Sequence, residues 1–444
     1  MSKKIIFALA VTLACGNLKA QDVKDTLRLT LNQALEIALS DNPTIKVADQ
    51  EIELKKTANK EAYAGLFPEV TLDGTYQRAV KKQTMVMNMP GQEPMKIQMG
   101  SDNTYNGGLN ISLPIFAPAL YKSIGLTKTD VGLAIEKARS SRINMVNQVT
   151  KAYYQLLLAQ DSYAVLKKSY DQSVANYNVV NAKYEQGTVS EYDKIRAEVQ
   201  MRNLVPTVVS ARNGVNLARL QLKVLMGMDP DIEIAIIGNL KDYELAMFQQ
   251  QLDDRTFNLS NNTDLRQLDF NAELLRKNLK LQQTNFMPTL GASFNYSYLS
   301  MSDNFRIAHY DWFPYSTLGL NLSIPLFKAT SFTKVKQTKI QMYQLAENKT
   351  NVERQLQMQV TSYLDNMSAS TEQVVSNKES VLQAEKGREI AKKRYEVGKG
   401  TILELNDSEV ALTQAELTYN QSIYDYLTAK ADLDLVLGEE PVVK

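Results

Sequence analysis

An active site has little to draw on in this chain: one histidine, His309, and one cysteine, Cys15, among 444 residues. Neither a nucleophile–base pair nor a metal-ligand cluster assembles from such a set, which leaves an enzyme as the weakest reading. A lone cysteine also excludes an internal disulfide. A surplus of either charge is missing too, with 50 basic residues against 49 acidic ones, so no basic surface for nucleic acid is expected. Beyond the N-terminus no uninterrupted apolar run approaches the roughly 18 residues of a membrane-spanning helix. Proline is absent from 120–185 and 329–396, and glycine occurs there only at Gly125, Gly132 and Gly387.

What is present begins with an export signal. Lys3 and Lys4 precede the apolar Ile5–Ala14, and Leu18-Lys19-Ala20 offers a small-residue cleavage site, so 1–20 reads as a signal peptide. Leu13-Ala14-Cys15-Gly16 loosely resembles a lipoprotein site, with Thr12 where such sites usually carry Leu, so lipidation stays open as the alternative. Removing Lys3, Lys4 and Lys19 leaves 47 basic against 49 acidic residues, a net charge of −2. An exported chain of this kind enters a membrane as strands or not at all.

The chain then repeats itself. Leu109-Asn-Ile-Ser-Leu-Pro-Ile-Phe116 returns 211 residues later as Leu320-Asn-Leu-Ser-Ile-Pro-Leu-Phe327, and Tyr184-Glu-Gln-Gly187 as Tyr395-Glu-Val-Gly398. Upstream the offset is 220, pairing Asn42 with Asn262 and Phe67-Pro68 with Met287-Pro288. So long a period signals duplication of a whole structural half rather than a solenoid repeat. The division that follows is a first repeat over 21–229, a linker or equatorial segment over 230–261 without clear period, and a second repeat over 262–444.

Each repeat holds two strictly alternating stretches. Leu290, Ala292, Phe294, Tyr296 and Tyr298 oppose Gly291, Ser293, Asn295 and Ser297, while Leu318, Leu320, Leu322 and Ile324 oppose Thr317, Gly319, Asn321 and Ser323. Val70, Leu72 and Tyr76, and Tyr105, Leu109, Ile111 and Leu113, alternate likewise. Ten-residue strands, apolar outside and small or polar inside, with aromatics at their ends, form the pattern of a membrane β-barrel. A soluble sandwich face is the alternative, but nothing else β-rich is there to pack on it. Four strands close no barrel, and open edges are not tolerated in lipid, so protomers must share one. Three would supply twelve strands.

Between strand pairs the pattern changes to helical. Leu356, Val360, Tyr363, Met367, Ser370, Val374, Asn377, Val381 and Ala384 step by four and three. Met145, Val149, Ala152, Leu156, Ala159, Tyr163, Leu166, Tyr170 and Ser173 do the same in the first copy, as coiled-coil packing requires. Gly187 and Gly398 suit left-handed caps, and the helices restart in capping-box form at Ser190-x-x-Asp193 and Thr401-x-x-Glu404. Each half reads helix, strand, strand, long helix, tight turn, helix.

With these motifs in place the mature chain resembles the TolC-like outer-membrane efflux proteins. The match is carried by Leu113-Pro-Ile-Phe116 and Ile324-Pro-Leu-Phe327, and by Tyr184-x-x-Gly187 and Tyr395-x-x-Gly398. The resemblance implies a mainly α fold with a membrane β part, in which a homotrimer forms a 12-stranded barrel in outer-membrane lipid, continued by a periplasmic helical tunnel. It implies a passive exit duct serving efflux or type I secretion, with a periplasmic adaptor and an inner-membrane RND or ABC pump as partners and no cofactor or metal. By the same resemblance Glu404 and Asp407 would line the periplasmic aperture, the alternative for Glu404 being plain capping of Thr401. Asp193 and Tyr395 would link the closed tip. Where the family often carries a basic link residue this chain has Gly400, beside Lys399. The turns at Gly187, Thr188, Val189, Gly398, Lys399, Gly400 and Thr401 would meet the adaptor, unless they are turn formers only. Pro68, Pro114, Pro288 and Pro325 fall where the family turns from barrel to helices, a place suited to a residue that breaks both ladders.

The first external loop gathers Met85, Met87, Met89, Met95 and Met99. Thioethers are soft ligands suited to copper or silver, and equally are adaptable apolar contacts. His309 reads as an interfacial polar residue. The competing reading of the chain is a secreted trimeric coiled-coil structural protein or adhesin.

Overall fold

A computed structural model describes residues 27–87, 95–249, 258–306 and 309–439. Met1–Ala20 with Cys15, and Met89, lie outside the described residues. Four alternating segments, β2 (Glu69–Arg78), β5 (Asn103–Phe116), β7 (Thr289–Ser302) and β8 (Phe313–Ser323), form one antiparallel sheet in the order β2-β5-β7-β8. The register gathers like with like across all four strands. Val70, Ile111, Phe294 and Leu318 make one row, and Thr71, Asn110, Asn295 and Thr317 the next. Rows of adjacent residues face opposite ways, so the sheet has an apolar face and a polar one. The apolar face is bare: Leu72 is 83 % and Leu318 80 % exposed. The outer edges of the end strands β2 and β8 have no partner among the described residues.

Below the sheet run α3 (Pro118–Glu185) and α7 (Ala329–Glu396), each of 68 residues and so roughly 100 Å long. Each turns into a 36-residue partner, α4 (Glu191–Met226) or α8 (Ile402–Leu437). Before the sheet come α1 (Leu31–Asp41), α2 (Pro43–Ala64) and, in the second half, α6 (Thr263–Gln283). The heptad seams face inward: Met145, Val149, Ala152 and Leu156 on α3, and Leu356, Val360, Met367, Ser370 and Val374 on α7, are buried. α3 packs on α4 and α8, and α8 on α7, which leaves α4 and α7 as outer helices.

Each half is closed by an asparagine. Asn42 donates from Nδ2 to the Leu225 carbonyl at 2.7 Å and caps α2 by accepting from Thr44 N–H. Its duplicate Asn262 donates to the Val436 carbonyl at 2.7 Å and caps α6 through Asp264 and Leu265. Both are buried, so each amide answers an orphan carbonyl at one helix end and orphan N–H groups at the next. The chain passes so close here that a Cβ on Gly438 would sit 2.1 Å from the Asn261 carbonyl oxygen.

Four features add to the sequence reading. Within 230–261, the linker or equatorial segment, Ile234, Leu240 and Met247 are buried in the main core. They lie on β6 (Ile234–Ile236), a single 3-10 turn and α5 (Glu244–Gln249), elements too short to show a period. β6 pairs in parallel with β1 (Leu27–Leu29), and Tyr153 of α3 donates to the Ile237 carbonyl at 2.7 Å. The first external loop carries a hairpin, β3 (Gln83–Met87) with β4 (Met95–Met99). Pro114 lies inside β5, which continues to Phe116 through a register shift, whereas Pro68, Pro288 and Pro325 flank strand ends.

Candidate functional site

The tip farthest from the sheet is built by the two tight turns. Gly187 (φ +69°) and Gly398 (φ +72°) are left-handed, and behind them Thr188 N–H donates to Lys183 O at 2.9 Å and Lys399 N–H to Arg394 O at 2.8 Å. These bonds close the helix ends as Schellman turns, a backbone that a side chain would strain. Ser190 then caps α4: its Oγ accepts from Asp193 N–H at 3.2 Å and donates to the Asp193 carboxylate at 2.7 Å. Thr401 accepts from Glu404 N–H at 3.2 Å.

The second capping box is completed on one side only. The Glu404 carboxylate turns instead to Arg394, 3.3 Å away, and Arg394 also donates to the Lys399 carbonyl at 3.2 Å. A guanidinium at the end of α7 outcompetes one neutral N–H for a carboxylate. Gly400 fits tightly beneath it, since a Cβ there would stand 3.0 Å from Arg394 Cβ. Position 400 carries no base, and the cation that meets Glu404 is Arg394, six residues earlier. Asp407, one turn on from Glu404, is exposed.

Between the two turns lies a small core of Val180, Ala197, Tyr395, Ile402 and Leu405. Tyr395 is 8 % exposed, and its hydroxyl finds no hydrogen-bond partner among the described residues. Burial pushes that hydroxyl's pKa up, and the charge of Asp193 pushes it further. No hydrogen bond joins the two, and the Asp193 carboxylate is held by Ser190. The Lys183 ammonium sits over the Tyr395 ring at 4.4 Å. Farther up, Arg388 of α7 meets Glu409 of α8 at 2.9 Å, both largely shielded.

The whole arrangement has known counterparts. The family model described as outer membrane efflux protein matches residues 34–228 and 258–439. The chain belongs to the outer membrane efflux protein family. The two matched stretches of this efflux protein fall one in each half of the duplication, and 229–257, with β6 and α5, lie between them. Among curated relatives, Outer membrane protein TolC of Vibrio cholerae is 21% identical over 98% of this chain and 95% of its own. The alkaline protease secretion protein AprF of Pseudomonas aeruginosa is 23% identical, over 94% of this chain and 85% of its own. The toluene efflux pump outer membrane protein TtgC of Pseudomonas putida is 21% identical over 92% and 82%. Of solved structures, the Campylobacter jejuni CmeC outer membrane channel superposes with a TM-score of 0.72 at 18% identity, covering 92% of this chain and 85% of the other. The open-state MtrE channel of Neisseria gonorrhoeae gives 0.72 at 15%, covering 92% and 88%.

Against that family background, Arg394 and the Arg388–Glu409 pair are the tip residues that sequence reading missed. Arg394 precedes Tyr395 in the duplicated turn motif, and that adjacency was the only available signal.

Proposed function

We infer that this protein is the outer-membrane exit duct of a tripartite efflux or type I secretion system. The observation that carries the reading is a four-stranded sheet, apolar on one face and polar on the other, with both edges open among the described residues. Alternating strand directions leave β8 of one copy antiparallel to β2 of the next, so three copies close a twelve-stranded barrel. The outer helices agree: Val199, Val209 and Leu217 on α4, and Tyr343, Met358 and Val375 on α7, are exposed apolar residues awaiting neighbours. A barrel ringed below by helices of about 100 Å conducts passively, drawing substrate from an inner-membrane pump through a periplasmic adaptor. A fibre or adhesin has no use for a bare apolar sheet face.

Within this duct, Glu404 and Asp407, repeated threefold, form acidic rings that favour cations at the aperture. Asp193 and Tyr395 belong to the contact that holds the tip closed. The turns at Gly187–Val189 and Gly398–Thr401 face the adaptor, and Pro68, Pro114, Pro288 and Pro325 mark the barrel–tunnel junction. Support for dividing the chain at 21–229, 230–261 and 262–444 comes from the duplicated Asn42 and Asn262. Reconstitution in a planar bilayer tests the reading: purified mature protein should give small cation-selective currents, blocked by a trivalent cation from one side only. Well-folded trimers that pass no current after Glu404 and Asp407 are both neutralised and the tip ion pairs are cut would refute it.

A further inference from the structure

The hairpin β3–β4 forms a sheet of its own, separate from the four strands of the barrel sheet. Its register pairs Met87 with Met95, Met85 with Ile97 and Gln83 with Met99. Paired residues share a face of the ribbon, and every second residue along a strand returns to it. Gln83, Met85, Met87, Met95, Ile97 and Met99 therefore stand on one side, and Thr84, Val86, Lys96 and Gln98 on the other. Both strands are exposed throughout.

Direct cross-strand partners have Cβ atoms about 5 Å apart and diagonal ones about 7–8 Å. Met85 is diagonal to Met95 and two residues from Met87, so the three form a triangle that unbranched thioether side chains can close over one point. Met99, diagonal to Met85 on its other side, brings a fourth sulfur within reach. A merely greasy face would be better served by valine or isoleucine, which favour strands. Within the two strands the only charge is Lys96, on the opposite face, and neither strand carries a carboxylate to hold a hard cation. Soft sulfur donors without charged oxygen select monovalent copper or silver over zinc, calcium or magnesium.

We propose that this methionine face binds one soft monovalent metal ion, copper(I) or silver(I), through the thioethers of Met85, Met87 and Met95, with Met99 as a further donor. The site lies at the ends of β2 and β5 remote from the helices. It depends on the hairpin's register and not on what the duct conducts.

Mature protein carrying 13C at its methionine methyls, in detergent and chloride-free buffer, is titrated with silver(I) nitrate. Resonances of Met85, Met87 and Met95, assigned by single Met→Leu replacements, should shift together and saturate at one equivalent per chain, while zinc(II) leaves them in place. The triple variant M85L/M87L/M95L should lose that one equivalent. Silver that leaves these three methyls unmoved overturns the proposal, as does a folded triple variant that binds as much silver as the parent. The titration of the unmutated protein decides the matter even if the variant fails to fold.

Discussion

The same four helices are held together in two ways along their length. At the equator, α3, α4, α7 and α8 enclose a continuous apolar core in which Val149, Leu156, Leu157, Leu222, Met367 and Ile423 are wholly buried, and β1, β6 and α5 are wrapped against it. At the tip only five buried side chains join the two turns, and one of them, Tyr395, carries an unsatisfied hydroxyl. There the hairpins are tied by charges instead: Lys183 over Tyr395, Arg394 with Glu404, and Arg388 with Glu409. Apolar cores resist partial opening, whereas a half-exposed ion pair such as Arg394–Glu404 contributes little and exchanges readily with water. The helices are thus anchored at the middle and loosely latched at the end, the distribution a gate requires.

The contrast breaks most visibly if the core is cut. Leu156→Ala should destabilise the equator by about 2–5 kcal/mol, as expected for a fully buried leucine, and speed amide exchange along α3 and α8 together. Leu405→Ala at the tip should loosen only residues 391–412. Equal spread of the two effects, measured by hydrogen exchange, would remove the distinction. Next comes the clasp of each half. Asn42→Ala strands the Leu225 carbonyl and should cost about 1–3 kcal/mol, against about 1 kcal/mol for the tip cap Ser190→Ala; thermal unfolding of both variants compares them.

A third test uses pH. Burial pushes Asp434, near Tyr154, Tyr426 and Glu439 at the equator, up to about 6, with Lys430 pulling the other way. Its folded pKa lies above the unfolded value, so the folded state favours the protonated acid. Stability is then unaffected below about pH 4 and falls as pH rises from about 4 to about 6. Asp434→Asn should remove that loss, stabilising the protein by about 2–3 kcal/mol at pH 7.5 and by almost nothing near pH 4, read from melting curves at both pH values. The smallest effect on stability belongs to Arg394→Ala, under about 1 kcal/mol for a half-exposed pair, although its effect on tip opening should be plain in conductance.

Much of this contrast could be read from the residues alone. Heptad steps from Met145 and from Leu356 located the equatorial seam, because burial on a long helix imposes a period. Alternation placed Phe294 and Leu318 on one sheet face and Asn295 and Thr317 on the other, since a strand has a period of two. Gly187 and Gly398 marked the turns because the left-handed cap favours glycine. What escaped reading lacks any period. Ile234 and Leu240 are single anchors on segments of three or four residues, and β1 meets β6 across about two hundred residues. Arg394 and Arg388 are ordinary helix-surface cations in sequence, and only the packing of α7 on α8 gives them Glu404 and Glu409. The methionine hairpin was legible in composition but not in register.

The central claim is that opening is confined to the tip, and two matched ion pairs test it. Arg388–Glu409 at 2.9 Å bridges α7 and α8 near the tip, and Lys151–Asp432 at 2.9 Å bridges α3 and α8 at the equator. Single-channel conductance should rise severalfold for Arg388→Gln and stay at the wild-type level for Lys151→Gln, with both variants trimeric. An unchanged Arg388→Gln channel, or an equal rise in both, would contradict a gate latched only at its end.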